Sequence, residues 1–439
     1  MRIAIVGAGI VGISSAYELA AEGHEVTVFE RSGGVAAENS FAHGGLISPA
    51  LQSPWPSAPL ARRLLLGAAL RRPGQFGWLW RSWRQAQPRL REPQLRQMQA
   101  LAVFSQQRLQ ALRQQLHLDY ERGEGHLLLL RGARELAQAE ACMRQLSEAG
   151  LKHHRLLDRA GCQAVEPGLN PELALEGGLY LPGDELGNGR QYAQALRTEA
   201  QRAGVRLRFH TTVRRVEAGS LPSLVHEYTP PAESQGPSTR FADYGSAEGP
   251  ATVPQNPEPV QERFDAIVLC AALGAPALLK PLGLSLPLRP VWGYTLTAPL
   301  RQLEAYPDLG PRAALSDLRS GISIARIGQR VRVAGGAELQ GGPDDFPEAS
   351  LAPLHQLLHD CFPGATHGSQ QQRWKGARPS LPDGLPLLGA SGQPGLWLNL
   401  GHGGQGWALA SGCARVLADQ LAGRAPALDT EGLGIARLR

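Results

Sequence analysis

Lysine is almost missing from this 439-residue chain: of 44 basic residues, only Lys152, Lys280 and Lys375 are not arginine. The arginine excess reads first as a compositional bias of the source. The formal charge of +5 is also compatible with an anionic substrate or an anionic membrane surface. No RNA- or DNA-binding motif accompanies the charge, so nucleic acid is not expected as a partner. Cysteine is scarce as well. Cys142, Cys162, Cys270, Cys361 and Cys413 are odd in number and form no CxxC pair, which points to free thiols in a reducing compartment rather than a disulfide framework. Long hydrophobic runs are lacking. Without about 18 uninterrupted apolar residues no spanning helix is expected, and glycines break the apolar run after Arg2 that would otherwise suggest a signal peptide. What remains is a chain with 43% hydrophobic and 19% charged residues, ordinary for a globular protein and long enough for two domains.

The first thirty residues carry the strongest local pattern. Ile3 to Val6 is a continuous apolar strand, followed by Gly7-Ala8-Gly9-Ile10-Val11-Gly12, a GxGxxG. Gly7 permits a tight strand-to-helix turn, Gly9 lets a pyrophosphate approach the backbone, and Gly12 lets the helix pack on the strand. The helix opening at Ile10 and Val11 offers unpaired N–H groups and a positive dipole end to phosphates. Ser14 to Ala21 continues that helix, and His24 to Phe29 forms a second strand. Glu30 at its end lies 23 residues after Gly7, where a carboxylate can accept both hydroxyls of a ribose. A lone GxGxxG is weak evidence; one in register with strand, helix, strand and acid is not.

The following stretch, Glu38-Asn39-Ser40-Phe41-Ala42-His43-Gly44-Gly45-Leu46-Ile47-Ser48-Pro49, is similar to the Thr-Ser-Phe-Ala-Asn-Ala-Gly-Gln-Ile-Ser-Pro segment of the D-amino-acid dehydrogenases. These are members of the D-amino-acid oxidase superfamily, in which the segment runs under the flavin. The resemblance implies FAD as the cofactor, with Glu30, Arg31, Ser40, Phe41, Gly44 and Gly45 in its contact set. Asn39, His43, Gly44 and Leu46 depart from the family pattern, so the flavin lining is expected to differ here. His43 has two readings: a polar neighbour of the flavin, or a covalent attachment like that of the related dimethylglycine dehydrogenases.

Between Pro54 and Arg91, Trp55, Trp78, Trp80 and Trp83 alternate with Arg62, Arg63, Arg71, Arg72, Arg81 and Arg84. This composition suits a membrane interface, and equally a helical arm packed on the protein's own surface. The dehydrogenases have a similar stretch and pass electrons to quinone at the inner membrane. The resemblance therefore implies a cytoplasmic protein with peripheral membrane contact through residues 55–91. Pro93 to Leu116 reads as a long helix. Val205 to Phe209 and Val213 to Val216 read as strands, and the resemblance assigns the backbone of Val213 to the adenine. Leu221 to Glu262 holds eight prolines amid Ser, Gly and Glu and reads as a flexible excursion. Phe264 to Ala272 is a strand returning to the nucleotide domain, with Ala271 and Gly274 at the cofactor. Arg289 to Thr297 opens the substrate sheet and resembles the family's Pro-Val-Lys-Gly-Tyr-Ser stretch; Tyr294 is the candidate hydroxyl facing substrate, the alternative being a packed strand tyrosine. His355 and His359 share a helical face but lack a third ligand, so no metal is expected.

Trp374 to Gly389 resembles the superfamily's Gly-Leu-Arg-Pro…Asp-Gly-x-Pro pattern, which assigns to Arg378 the grip on the substrate carboxylate. The alternative is a structural arginine in a proline-bounded turn. Gly401-His402-Gly403-Gly404-Gln405-Gly406-Trp407 then opens a helix whose N–H groups can face the flavin edge that gains charge on reduction.

The expected fold is α/β, a Rossmann-like FAD-binding domain with an α+β substrate domain on a mixed or antiparallel sheet. The FAD-binding domain takes residues 1–55, 151–216, 263–286 and 373–439. The substrate domain takes 56–150, including the helical arm, and 287–372, with 217–262 the excursion. The implied reaction is oxidative deamination of a D-amino acid by hydride transfer from Cα to flavin N5, electrons passing to quinone or another acceptor. An oxygen-using glycine- or sarcosine-type oxidase, a D-hydroxyproline-type dehydrogenase and a non-catalytic flavin-binding subunit are the alternatives.

Overall fold

The computed structural model describes residues 1–51, 73–148, 150–151, 153–229, 258–301, 309–367 and 370–438. In chain order, strand β1 (Arg2–Val6), helix α1 (Ile10–Ala21), β2 (Glu25–Phe29) and the short β3 (Leu46–Ile47) come first. Next are α2 (Pro73–Gln85), α3 (Pro88–Leu116), β4 (Gly123–Leu130), α4 (Ala133–Glu148), β5 (Arg155–Leu157), α5 (Arg159–Val165), β6 (Gly177–Leu186), α6 (Gly189–Arg202), β7 (Arg206–Arg208), β8 (Thr211–Glu217) and β9 (Ser223–Tyr228). The second half runs β10 (Val260–Arg263), β11 (Ala266–Leu269), α7 (Ala275–Leu279), β12 (Arg289–Pro299), β13 (Ala314–Asp317), β14 (Ile322–Ile327), β15 (Arg330–Glu338), α8 (Glu348–Cys361), β16 (Gln372–Ser380), β17 (Leu387–Ala390), β18 (Leu396–Leu400) and α9 (Gly406–Leu421).

Three sheets result. The first has the order β17-β18-β11-β1-β2-β7 and is parallel except for β17. β1 is fully buried at Ile3, Ala4 and Ile5 because helices and loops cover both faces, as all-parallel strands require. The chain crosses from β1 through α1 to β2 on one side, while β11 and β18 join on the other. The order therefore reverses beside β1, the crevice where ligands bind in open α/β sheets. Behind the sheet, α1, α3 and α9 pack together, and the fully buried Glu18 ties them through Arg108 at 2.6 Å and Arg415 at 3.2 Å.

The substrate sheet has the order β16-β12-β15-β14-β13-β4-β6-β3, with β5 also on β6 and β13–β4 its parallel pair. One face packs on α8 through Leu296, Ile324, Val333, Leu354 and Leu358.

Three expectations shift. Helix α3 begins at Pro88, five residues before the anticipated start; Pro88 occupies its first turn, where the missing N–H costs nothing, and Pro93 lies inside. Met98, Leu101, Leu109 and Leu112 of α3 belong to the core around α1 and α9, so this part of residues 56–150 lies with the nucleotide-binding layer rather than with the substrate domain. The stretch 217–262 is not one excursion. β9 and β10 pair with β8 in a three-stranded antiparallel sheet, held because Leu224 and Val216 bury against Phe29 and Phe264. The proline-rich residues 230–257 lie outside the described residues, as do Trp55 and the arginines at 62, 63, 71 and 72.

Helix α2 settles part of the Trp–Arg stretch. Trp78 and Leu79 pack on Val291, and the Trp78 indole N–H donates to Pro287 O at 2.7 Å. Phe76 and Trp80 on the other face are exposed. No helix among the described residues is long and apolar enough to cross a membrane.

Candidate active site

The loop after β1 separates the roles of its three glycines. A Cβ on Gly7 (φ +104°) would lie 2.7 Å from the Cys270 carbonyl oxygen, and one on Gly12 would lie 1.9 Å from Gly7 O. Both positions are closed by backbone. A Cβ on Gly9 would meet only Ser40 Oγ, at 3.6 Å, so the space above Gly9 is open to a ligand. Ser40 Oγ also accepts from the N–H of Ile10 at 3.3 Å, and Ala271 closes the loop from the β11 side. Glu30 braces the loop, accepting from Ala8 N–H at 2.6 Å and Ser32 N–H at 2.8 Å. Each of its oxygens keeps a second lone pair for a ribose hydroxyl. β8, which carries Val213, hooks onto the same corner through Thr211 N–H to Glu30 O. Gly274 forms the turn that follows Ala271. An open Gly9 between two closed glycines, with a carboxylate at the end of β2, fits the dinucleotide half of FAD.

Two residues of the expected contact set also have protein partners. Arg31 forms a two-pronged pair with Glu38 at 2.6 and 2.7 Å. The Phe41 ring is covered by the Arg190 guanidinium, 4.1 Å from its centroid.

A cavity of about 310 Å³ lies between this layer and the substrate sheet. Asn39, His43, Gly44, Gly404 and Gln405 line it from one side. From the other side comes a row of cross-strand neighbours: Trp374 (β16), Thr295 (β12), Ala334 (β15), Ser323 (β14) and Ser316 (β13). Apart from the tryptophan these are small, and that leaves the room. The loop Gly401–Gly406 reaches the cavity because Gly401 and Gly403 take positive φ, turning β18 into α9. Gly45, also at positive φ, accepts from the Trp407 indole N–H at 3.0 Å, which locks the two cavity loops together.

His43 strengthens that lock. Its Nε2–H donates to Gly404 O at 2.8 Å, and its Nδ1 accepts from Gly45 N–H at 3.2 Å. Burial, with the nearby Arg378 and Arg332 charges, pushes its pKa down to about 4 against the opposing Gly404 bond, so the ring is neutral at pH 7. Both ring nitrogens hydrogen-bond to backbone, an arrangement that suits a pocket-lining role. Arg332, buried beneath, donates to His43 O at 2.9 Å and to Thr297 Oγ1 at 3.1 Å; burial lowers its pKa to about 10.

Arg378 lies on strand β16, not in a turn. Its guanidinium lies over Gly293, where a Cβ would be 2.2 Å from Nη2, and Nη1 donates to Gly336 O at 2.8 Å. Burial lowers its pKa, and no carboxylate among the described residues pairs with it. A cation in a cavity wall with no anion is poised for an anionic ligand.

Tyr294 does not join this group. Strand side chains alternate, and β12 turns Gly293 and Thr295 to the cavity and Tyr294 to the opposite face. There the buried phenol donates to Glu338 Oε2 at 2.6 Å, under Lys375 at 5.1 Å from the ring, and burial pushes its pKa up to about 12. The expected cavity-facing hydroxyl is thus on the core face of β12, and its neighbour Thr295 is on the cavity face. Ser316 was also missed. Its hydroxyl is 2.8 Å from His126 Nε2, and His126 Nδ1 is 3.1 Å from Asp184 Oδ2. No local motif announces that chain, since its three residues come from β13, β4 and β6. His355 is half-buried and His359 exposed on α8; among the described residues no three metal-ligating side chains converge.

A glycine loop at the switch point of a parallel sheet, facing a second sheet across a cavity, defines a two-domain dinucleotide-dependent oxidoreductase. The chain belongs to the DAO family of FAD dependent oxidoreductases, which matches residues 2–420. It is 37% identical to a D-amino acid dehydrogenase of Cereibacter sphaeroides, over 100% of this chain and 95% of that protein. It is 36% identical to one from Rhizorhabdus wittichii, with both chains fully covered. Among solved structures it shares the fold of glycine oxidase from Geobacillus kaustophilus (TM-score 0.70, 21% identity, 99% of each chain). It likewise shares that of L-proline dehydrogenase from P. horikoshii (TM-score 0.72, 14% identity, 100% of this chain and 97% of the other). FAD is the cofactor of this family.

Proposed function

We propose that this chain oxidatively deaminates D-amino acids to 2-oxo acids and ammonia and hands the electrons to a quinone or similar acceptor. The observation that carries the reading is the Arg378 guanidinium, held in the cavity wall without a carboxylate partner. The full-length likeness to proteins named D-amino acid dehydrogenase supports it.

Arg378 takes the substrate carboxylate through two parallel hydrogen bonds, which fixes both position and orientation. Gly293 supplies the room for the guanidinium, and Gly336 O holds it. Neutral His43 adds no competing charge to the opposite wall. Residues Gly7, Gly9, Gly12, Glu30, Ser40 and Ala271 would hold the dinucleotide of FAD, and Gly44, Gly45, Gly404 and Gln405 its ring. Bound FAD supplies the hydride acceptor. A substrate amine that binds deprotonated needs no protein base, and the imino acid product hydrolyses to the 2-oxo acid.

The test is anaerobic titration of the yellow holoenzyme with D- and L-amino acids. Bleaching by D- but not L-enantiomers, and reoxidation faster by a soluble quinone than by oxygen, is the expected result. Bleaching only by glycine or sarcosine, with peroxide release in air, would replace it with an amine oxidase. The exposed Phe76 and Trp80 of α2, with the Arg84 guanidinium 5.8 Å from the Trp80 ring, support contact with an anionic membrane surface. Co-sedimentation with vesicles containing anionic lipid, abolished in the double variant F76S/W80S, is the outcome that reading requires.

A further inference from the structure

Two threonines point to the same side of β12, and their situations differ. Thr297 Oγ1 accepts from Arg332 Nε at 3.1 Å. Thr295 is 3% exposed, lines the cavity, and its Oγ1 has no hydrogen-bond partner. A buried hydroxyl left without a partner is a standing cost to the fold, so such a group at a cavity wall marks a ligand contact. Neither of its neighbours across the ladder, Ala334 and Trp374, hydrogen-bonds to it. The strand also fixes its relation to the arginine. The Arg378 guanidinium lies over Gly293, and two residues along β12 separate Gly293 from Thr295 by roughly 7 Å. An α-amino acid whose carboxylate is seated on Arg378 carries its nitrogen two bonds from the carboxylate carbon, within that interval.

We propose that the Thr295 hydroxyl accepts a hydrogen bond from the substrate's α-amino group, forming with Arg378 a two-point clamp on the amino acid. The assignment rests on the carboxylate role of Arg378 given above. With the carboxylate and nitrogen both held, the remaining two substituents of Cα are fixed in space, and one enantiomer alone presents its hydrogen to the flavin side of the cavity. The clamp needs a group able to accept from N–H, so serine can replace threonine and valine, of the same shape, cannot.

The experiment uses FAD-loaded wild type, T295V, T295S and, in case the β-branched replacement folds poorly, T295A. Each is mixed rapidly and anaerobically with D-alanine, its dissociation constant taken from the concentration dependence of the flavin-bleaching rate, and is titrated separately with propionate, a carboxylate of similar size without the nitrogen, followed by perturbation of the flavin spectrum. The expected result is about tenfold weaker D-alanine binding in T295V and T295A, the size of one lost hydrogen bond. T295S is expected within about threefold of wild type, with propionate binding and the resting flavin spectrum unchanged in all four. Equal loss of propionate and D-alanine binding, or no loss of either, overturns the amine contact while leaving the carboxylate reading intact. So does a shifted resting spectrum in T295V, which would give the hydroxyl to the flavin. If wild type binds neither ligand, the Arg378 reading fails and the clamp falls with it.

Discussion

The loop at residues 7–12 and the cavity wall at residues 293–295 are the two halves of the proposed site, and they are built by opposite means. In the loop, every group needed to receive a pyrophosphate is consecutive. Backbone N–H groups do the binding, and three glycines keep side chains out of the way or the backbone close. In the wall, Thr295 gains its meaning from Trp374 and Ala334 on neighbouring strands and from Arg378, whose head reaches across to Gly293. A backbone-driven site survives translation into a sequence pattern. A side-chain-driven site on a sheet depends on strand order, register and face, and one step along the strand exchanges a cavity-facing hydroxyl for a core phenol.

The comparison can be broken at three places. The largest effect belongs to the loop. Gly12→Val puts its side chain into the Gly7 carbonyl, 1.9 Å from where Cβ would stand, and backbone cannot yield as a flexible side chain can. Purified G12V should be colourless and should not take up added FAD; a yellow protein with normal spectrum would show that the helix need not pack this closely. Next is Arg378→Met, which keeps the length and removes the fork. Loss of a charge-assisted two-pronged bond in a water-poor site costs on the order of 4 kcal/mol, or about a thousandfold in kcat/KM for D-alanine. R378K should recover only part of it, because an ammonium cannot match the planar geometry; steady-state kinetics on the two variants decides. The smallest effect on activity is expected from Tyr294→Phe. Removing the hydroxyl that bonds Glu338 should lower stability by about 1 kcal/mol, seen as a lower urea midpoint, with kcat/KM within about threefold of wild type. A large kinetic loss in Y294F would reopen the choice between the two faces of β12.

Much of the molecule was legible in order along the chain. The β1–α1–β2 unit, the return strand β11, the strand β18 and the glycine turn into α9 all appear where period and punctuation place them. The errors share a cause. Helix α3 falls in the stretch 56–150 expected in the substrate domain, yet its apolar face meets α1 and α9, which are about 90 and 300 residues away in sequence. Strands β9 and β10 are short and flanked by a proline-rich stretch, so their pairing with β8 is visible only when Leu224 and Val216 are seen buried against Phe29 and Phe264. Each error concerns partners distant in sequence or a choice of face, and neither leaves a local trace.

By itself the sequence determined the dinucleotide loop and the acid at the end of the second strand, because each works through a few adjacent residues whose chemistry does not depend on their surroundings. Tertiary structure alone decided which side chains share the cavity: that Thr295 and Ser316 line it, that Tyr294 does not, and that His43 is a neutral brace between two loops. Those outcomes follow from sheet order and from burial, and burial is a property of the whole fold, set by everything that packs around a group rather than by the residues beside it in the chain.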